Sequence, residues 1–379
     1  MATPRITELT HWTSAERRFR TLAGLPWCMW LDSAAADEHE RFDILVADPY
    51  VHSAHARRRH GDRAARRSGS RVAAAAVRAA CASSSATSEP RLPACRSSGG
   101  AVGYFGYDLG RRLERIPAIA AADIAMPDLA IGLYDWAVVI DHAAQPHVAR
   151  GQWPRRTDLR RTGRSSSRGS SAEPPPAPRA VSRAHAADLE PRPRRVRGRV
   201  SRRARAHSPR RLLSSESDAA IRGRAEGDAW HAYVRLREIN PAPFAAYLDL
   251  PDGKVVCSSP ERFLRLRDGR VETKPIKGTR PRSKDPSATA RLPRKLRTSA
   301  KDRAENVMIV DLLRNDLGKS CVPGSVRVSK LFDIESFASV HQLVSTVEGR
   351  LAPGHARARP ARGAAFPAAR SRARRKSRR

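Results

Sequence analysis

The sequence predicts a chain of mixed strands and helices. Three observations carry that prediction. Runs rich in β-branched and aromatic residues recur within 25–51, 99–142 and 254–282. A long helical pattern spans Ser299 to Ser320. A tight Asp268-Gly269 turn joins two of the strand-like runs, which marks a β-hairpin.

Each block can be justified in order. In residues 1–51, "LPWCMWLDS" and "RFDILVADPYV" have strand composition, with aspartates at turns. Residues 52–98 contain no Phe, Trp, Tyr or Ile. Such a segment cannot bury enough apolar surface to offset its ordering entropy, so it reads as disordered. Residues 99–142 return to apolar runs with Gly turns and "MPD" punctuation. After residue 147, "PRRTDLRRTGRSSSRGSSAEPPPAPRA" has linker composition. Trp230 to Leu351 again alternates strands and helices, and the final block from 352 to 379 is basic and low in complexity. Structureless segments of that length inside a compact fold run against the usual lengths of loops.

The formal net charge is +34, from 72 Lys and Arg against 38 Asp and Glu. That balance alone points to a nucleic acid or another anionic partner. The charge is concentrated in 52–98, 148–225 and 352–379, however, and lysine is absent before Lys254. An excess of Arg together with Ala, Pro, Ser and Gly also follows from GC-rich DNA read in any frame. No nucleic-acid-binding motif accompanies the charge.

The five cysteines, Cys28, Cys81, Cys95, Cys257 and Cys321, form no CxxC pair. Their number is odd, so a disulfide framework or a zinc site is not expected, and a reducing cytoplasm fits. The N-terminus lacks the apolar core of a secretory signal. No apolar run reaches the roughly 18 residues of a membrane span.

The chemically informative residues lie after 250. Ser299 and Asp302 make a capping-box-like helix start. Ala304, Val307, Met308, Asp311 and Leu312 are expected to share one side of that helix, with Asp311 interrupting an apolar stripe. Gly318 and Lys319 supply the stop. Glu305 is either a solvated helix carboxylate or a ligand. "KVVCSSPERFLRLRDGRVETKPIKGTRPR" reads as strand, loop, strand, turn, strand. Lys277 stands between a strand end and a Gly-Thr turn. It is a nucleophile if desolvated or set beside a cation, and otherwise an exposed lysine. Glu261 offers acid/base chemistry if its pKa is raised, and otherwise is a surface carboxylate. His341, in a β-branched run, is more often structural than catalytic in such a setting.

Together, "APFAAYLDL", "SSPERF", "KPIKGTRPR", "SAKDRAENVMIVDLLRNDLG", "PGSVRV" and "VHQLVSTVEG" resemble the chorismate-utilising enzymes, in that family's order. Residues 1–51 and 99–147, notably "GYFGYDLGRRLERIP" and "GLYDWAVVIDH", resemble the N-terminal domain of the same enzymes, the anthranilate-synthase-component-I type. The resemblance implies an α+β fold with antiparallel sheets and flanking helices. It implies a 1–147 N-terminal domain and a partial 226–351 catalytic domain.

The resemblance also implies Mg²⁺-dependent chemistry on chorismate, with Glu305 as a metal ligand. Lys277 matches the lysine that adds at C2 as the C4 hydroxyl leaves. Ammonia from a glutamine amidotransferase partner then takes C4 and expels the lysine. The product is 4-amino-4-deoxychorismate, a precursor of para-aminobenzoate and folate. Glu261 matches the acid/base glutamate, and Gly278 and Thr279 match the turn beside the substrate. Lysine rather than alanine at 277 disfavours anthranilate or isochorismate synthesis. His341 is one position from the family's usual histidine, which is Gln342 here. A one-residue shift in a strand places a side chain on the opposite face.

Two family segments are missing as amino acids: a GDCYQVNLTQRF-like stretch before Trp230, and a GGSITGAPK loop with a C-terminal portion carrying more metal ligands. Codons can be chosen for Arg211–Ala225 that read DCYQVNLTQRFAAE one base later. Codons for Ala368–Ser377, with one G restored in front, read GGSITGAPKV. The expectation is therefore that 52–98, 148–225 and 352–379 are read out of frame. The chain as written is then expected to fold poorly and to have little or no activity.

Overall fold

The computed structural model describes residues 5–8, 14–33, 42–55, 100–113, 124–142, 148–151, 226–282 and 286–353. The expectations for 52–98, 148–225 and 352–379 fall almost wholly outside the described residues. The chain divides into two compact units, one of residues 1–168 with 236–379 and one of residues 169–235. In the second unit the described residues are 226–235. There Asp228 Oδ1 accepts the Trp230 N–H at 3.1 Å, at the start of a helix. The rings of Trp230 and Tyr233 lie 6.0 Å apart.

The first unit is built on antiparallel sheets. Its strands are β1 (Arg5–Glu8), β2 (Met29–Asp32), β3 (Phe42–Val46), β4 (Val51–His55), β5 (Gly100–Phe105), β6 (Leu129–Tyr134), β7 (Trp136–Asp141) and β8 (Val148–Gly151). They continue with β9 (Phe244–Leu250), β10 (Gly253–Ser259), β11 (Arg262–Arg267), β12 (Arg270–Lys274), β13 (Ile276–Pro281), β14 (Arg327–Ser336) and β15 (Val340–Arg350). The helices are α1 (Ala15–Leu22), the short α2 (Gly110–Leu113), α3 (Ala229–Ile239), which crosses the division between units, α4 (Pro286–Thr298) and α5 (Ala300–Gly318). This mixture of antiparallel sheets and helices is the α+β class the sequence predicts. No helix among the described residues is long and apolar enough to cross a membrane.

The first sheet has seven strands in the order β1-β8-β7-β3-β2-β9-β10. Strands 244–259 therefore complete a sheet begun before residue 50. β7, "WAVVID", is buried along its whole length because it is apolar on both faces. Trp27, Met29, Val46, Tyr134, Val139, Leu248 and Leu250 form the core on this sheet. A polar cluster lies at the ends of its central strands β2 and β3. Buried Asp43 accepts the Ser33 N–H at 2.8 Å and pairs with His142 Nε2 at 3.0 Å. Arg237 Nε donates to Asp32 Oδ2 at 2.6 Å and stacks over Trp30.

The second sheet runs β11-β12-β15-β13, with β14 on the other edge of β15. β11 and β12 form the predicted hairpin. Asp268 (φ 51°) and Gly269 (φ 74°) both take positive φ, as the tightest hairpin turns require. Arg262 in β11 and Glu272 in β12 are buried and paired, and Arg265 adds a second contact to Glu272 at 2.9 Å.

Helix α5 packs on one face of β15. Its start is the predicted one: Ser299 caps it and accepts the Asp302 N–H at 3.3 Å. Its buried face is not the predicted one. Val307 is 45% exposed, and Ala304 and Asp311 are exposed too. The face turned inward carries Asp302, Asn306, Val310, Leu313 and Leu317, a helical i, i+4, i+8, i+11, i+15 stripe. Two of its members are polar. Asn306 is satisfied where it lies, since its Nδ2 donates to the Leu343 carbonyl at 3.3 Å and its Oδ1 accepts from Ser345 Oγ at 2.6 Å. Farther along, Val310 and Leu317 pack with Val271, Cys321 and Val347.

Candidate active site

β13 is where the candidate residues meet. Ile276 pairs with Val344, and Thr279 pairs with Gln342. Three steps on β13 thus oppose two on β15, so the strand carries one extra residue. Lys277 and Gly278 occupy this bulge, a device that re-aims side chains. Gly278 takes φ +90°, and an added Cβ would lie 2.9 Å from Asp302 Cβ and 3.0 Å from Leu296 Cδ1. The site of the glycine is therefore set both by backbone conformation and by the close approach of α4 and α5.

Glu261 follows β10 in the short connection to β11. Its Oε1 accepts the backbone N–H of Ile276 at 3.0 Å, and its own N–H donates to Ser259 Oγ at 3.2 Å. A carboxylate distant in sequence is thereby tied to the residue that precedes Lys277. Glu261 itself is exposed.

Past the bulge, Arg280 donates from Nη2 to Asp302 Oδ2 at 2.6 Å. The Ser299 hydroxyl and then the Arg280 guanidinium hold the Asp302 carboxyl below the ordinary carboxylate range, against the opposing effect of burial. The sequence reading used Asp302 only as a helix-start signal and passed over Arg280. Their pairing had no local signature.

The strand register separates the two neighbours His341 and Gln342. His341 opposes Arg280, and Gln342 opposes Thr279. Directly paired residues share a face. His341 therefore shares the face of Arg280, whose guanidinium reaches helix α5, along with Ser345, which bonds Asn306. Gln342 lies on the face of Thr279. His341 is 3% exposed, its Nδ1 shares a 2.8 Å hydrogen bond with Ser336 Oγ, and its Nε2 has no partner among the described residues. Gln342 is 8% exposed, and its Oε1 likewise lacks a partner there.

Glu305 is half-exposed on α5, with Lys301 Nζ 3.9 Å from its Oε1. Among the described residues no three His, Cys, Asp or Glu groups converge as a metal site. Magnesium takes about six oxygens, so Glu305 on its own does not make up that shell.

The family of chorismate binding enzymes matches residues 28–369. A protein of Klebsiella aerogenes named aminodeoxychorismate synthase component 1 is 41% identical over 372 residues, covering 93% of this chain and 77% of that protein. The aminodeoxychorismate synthase of Streptomyces pristinaespiralis is 57% identical over 141 residues, 37% of this chain and 20% of that protein. Among solved structures, anthranilate synthase component I of Streptococcus pneumoniae superposes with a TM-score of 0.64 at 21% identity. That match covers 87% of this chain and 73% of the other.

Proposed function

The chain belongs to the family of chorismate binding enzymes, and from that premise we propose that it aminates chorismate at C4 to give 4-amino-4-deoxychorismate. The relatives that it matches over three quarters of their length are named for that synthase. The observation that carries the reading is local: Lys277 stands on the bulge of β13, and the Glu261 carboxylate is bonded to the residue before it.

In this reading the neutral Lys277 amine adds to C2 of the ring. The two conjugated ring double bonds shift, and the C4 hydroxyl leaves as water with a proton from Glu261. Ammonia then attacks C4, both double bonds shift back, the lysine leaves as the neutral amine, and the new ammonium at C4 returns a proton to Glu261. Gly278 and Thr279 form the turn beside the ring. The ammonia is supplied by a glutamine amidotransferase partner, and the pathway is that of para-aminobenzoate and folate, in the cytoplasm. His341 shares the face of Arg280 and the helix, so it is given no part in these steps. Mg²⁺ belongs to the reading as a cofactor that neutralises the charge of a dicarboxylate substrate, with Glu305 as one oxygen donor. No step above runs through it.

Anthranilate or isochorismate synthesis is the second reading. The superposed structures support that fold, while Lys277 argues against that chemistry. The nucleic-acid reading rests on charge in blocks that lie almost wholly outside the described residues.

The test is direct. The chain as written is expected to make little or no 4-amino-4-deoxychorismate from chorismate, ammonium and Mg²⁺, whereas chain with the frames upstream of Glu226 and after residue 352 restored is expected to form it, and Lys277→Ala in that chain to lower kcat on the order of a hundredfold. Anthranilate as the product would overturn the assignment. A chain that is folded yet inert, and that regains activity when the frames upstream of Glu226 and after residue 352 are restored, would tie the loss to those segments.

A further inference from the structure

Gln342 pairs across the sheet with Thr279 of the candidate site, and its side-chain carbonyl oxygen has no partner among the described residues. It is a central residue of β15, buried to more than nine-tenths, and Oε1 finds no donor among the described residues. Its two register partners do not supply one. Glu335 in β14 is an acceptor and takes Lys274 Nζ at 2.6 Å. Thr279 in β13 is exposed, and its hydroxyl makes no hydrogen bond to Gln342 Oε1. A buried acceptor without a donor is costly, and such groups are rare unless something else pairs with them. The missing partner must therefore bring an O–H or N–H to the face that carries Thr279.

This step rests on the proposed reading that chorismate is the substrate. At neutral pH chorismate is a dianion, and its two carboxylates and its ether oxygen only accept hydrogen bonds. Its one donor is the hydroxyl at C4, the group that leaves. We infer that Gln342 Oε1 accepts the hydrogen bond of the substrate's C4 hydroxyl. Gln342 is then a positioning and specificity residue. It orients the C–O bond that will break and selects ligands that carry a hydroxyl there. The amide oxygen has no proton to give, so protonation of the departing oxygen falls to another group, the role proposed for Glu261.

Equilibrium binding without ammonia isolates this contact from turnover. The ligands are chorismate and its analogue with hydrogen in place of the 4-hydroxyl. The wild-type chain is expected to bind chorismate about tenfold more tightly than the analogue. Gln342→Met is expected to bind the two within about twofold. Gln342→Asn, which withdraws the carbonyl by one carbon, serves in its place if the Met variant does not fold. Equal wild-type affinity for the two ligands overturns the inference, as does a preference that survives in the variant. No chorismate binding at all by folded wild-type chain overturns the underlying reading instead. A purely structural role for Gln342 would lower stability without changing the ratio between the two ligands.

Discussion

Arg280 and Asp302 are joined at 2.6 Å across the gap between β13 and α5. Arg280 is three residues past Lys277, and Asp302 is three residues before Glu305. One ion pair thus couples the strand that bears the proposed nucleophile to the helix that bears the proposed metal donor. Arg280→Met or Asp302→Asn is expected to cost about 2 kcal/mol of stability, since a hydrogen bond between charged groups is lost in a largely buried place. Denaturant unfolding of each variant measures it. The pH dependence has a defined sign. The Asp302 carboxyl is depressed when folded, so its contribution is present above the ordinary carboxylate range and is lost as pH falls through the folded value. Asp302→Asn removes that acid-side loss.

Gly278→Ala is expected to destabilise the chain by roughly 1–3 kcal/mol. The new methyl would meet the Cβ of Asp302 at 2.9 Å in a backbone conformation with φ +90°. A thermal melt that matches wild type would show that α5 can retreat from the strand at little cost.

Glu261 has two separable tasks, bonding the Ile276 N–H and exchanging a proton. Glu261→Gln keeps an oxygen for the backbone bond but cannot act as an acid. Its kcat is expected to fall by about two to four orders of magnitude with little change in melting temperature. Glu261→Ala loses both, and is expected to melt lower as well. Equal kcat for Glu261→Gln and wild type would remove Glu261 from the chemistry.

The His142–Asp43 pair gives the seven-stranded sheet a pH dependence of the opposite sense. Donation from His142 Nε2–H to the Asp43 carboxylate, reinforced by the carboxylate's charge, raises the His142 pKa above the ordinary histidine value of 6.5, against burial. A raised folded value means that the contribution is fully present below the ordinary histidine range and disappears as pH rises through the folded value. The melting temperature is expected to fall between pH 6 and pH 9 by more in wild type than in His142→Gln. Identical pH profiles would discount the pair.

What the sequence disclosed was local chemistry. Asp268-Gly269 makes a hairpin turn by its own backbone preferences, and Ser299 caps α5 through a bond spanning three residues. The buried face of α5 was hidden because Asp302 and Asn306 are polar. They are tolerated inside through partners at 280, 343 and 345, which no periodicity encodes. The separation of His341 from Gln342 follows from simple alternation along a strand. Which of the two faces Thr279 was not legible, because it depends on the extra residue in β13. Lys277, Glu261 and Glu305 were picked out by motif, while the bond from Ile276 to Glu261 needed the fold.

The pairing of β2 with β9 has a consequence in time. Met29 hydrogen-bonds beside Leu248, more than two hundred residues later in the chain. At the roughly 5–20 residues per second of protein synthesis, β2 leaves the ribosome on the order of ten seconds or more before its neighbour exists. Through that interval one edge of the nascent sheet, with Trp30 and Leu31, stays unpaired. Such an edge is a template for another strand. The growing polypeptide is thus most vulnerable to self-association, and most dependent on chaperones, between the emergence of residue 46 and that of residue 250.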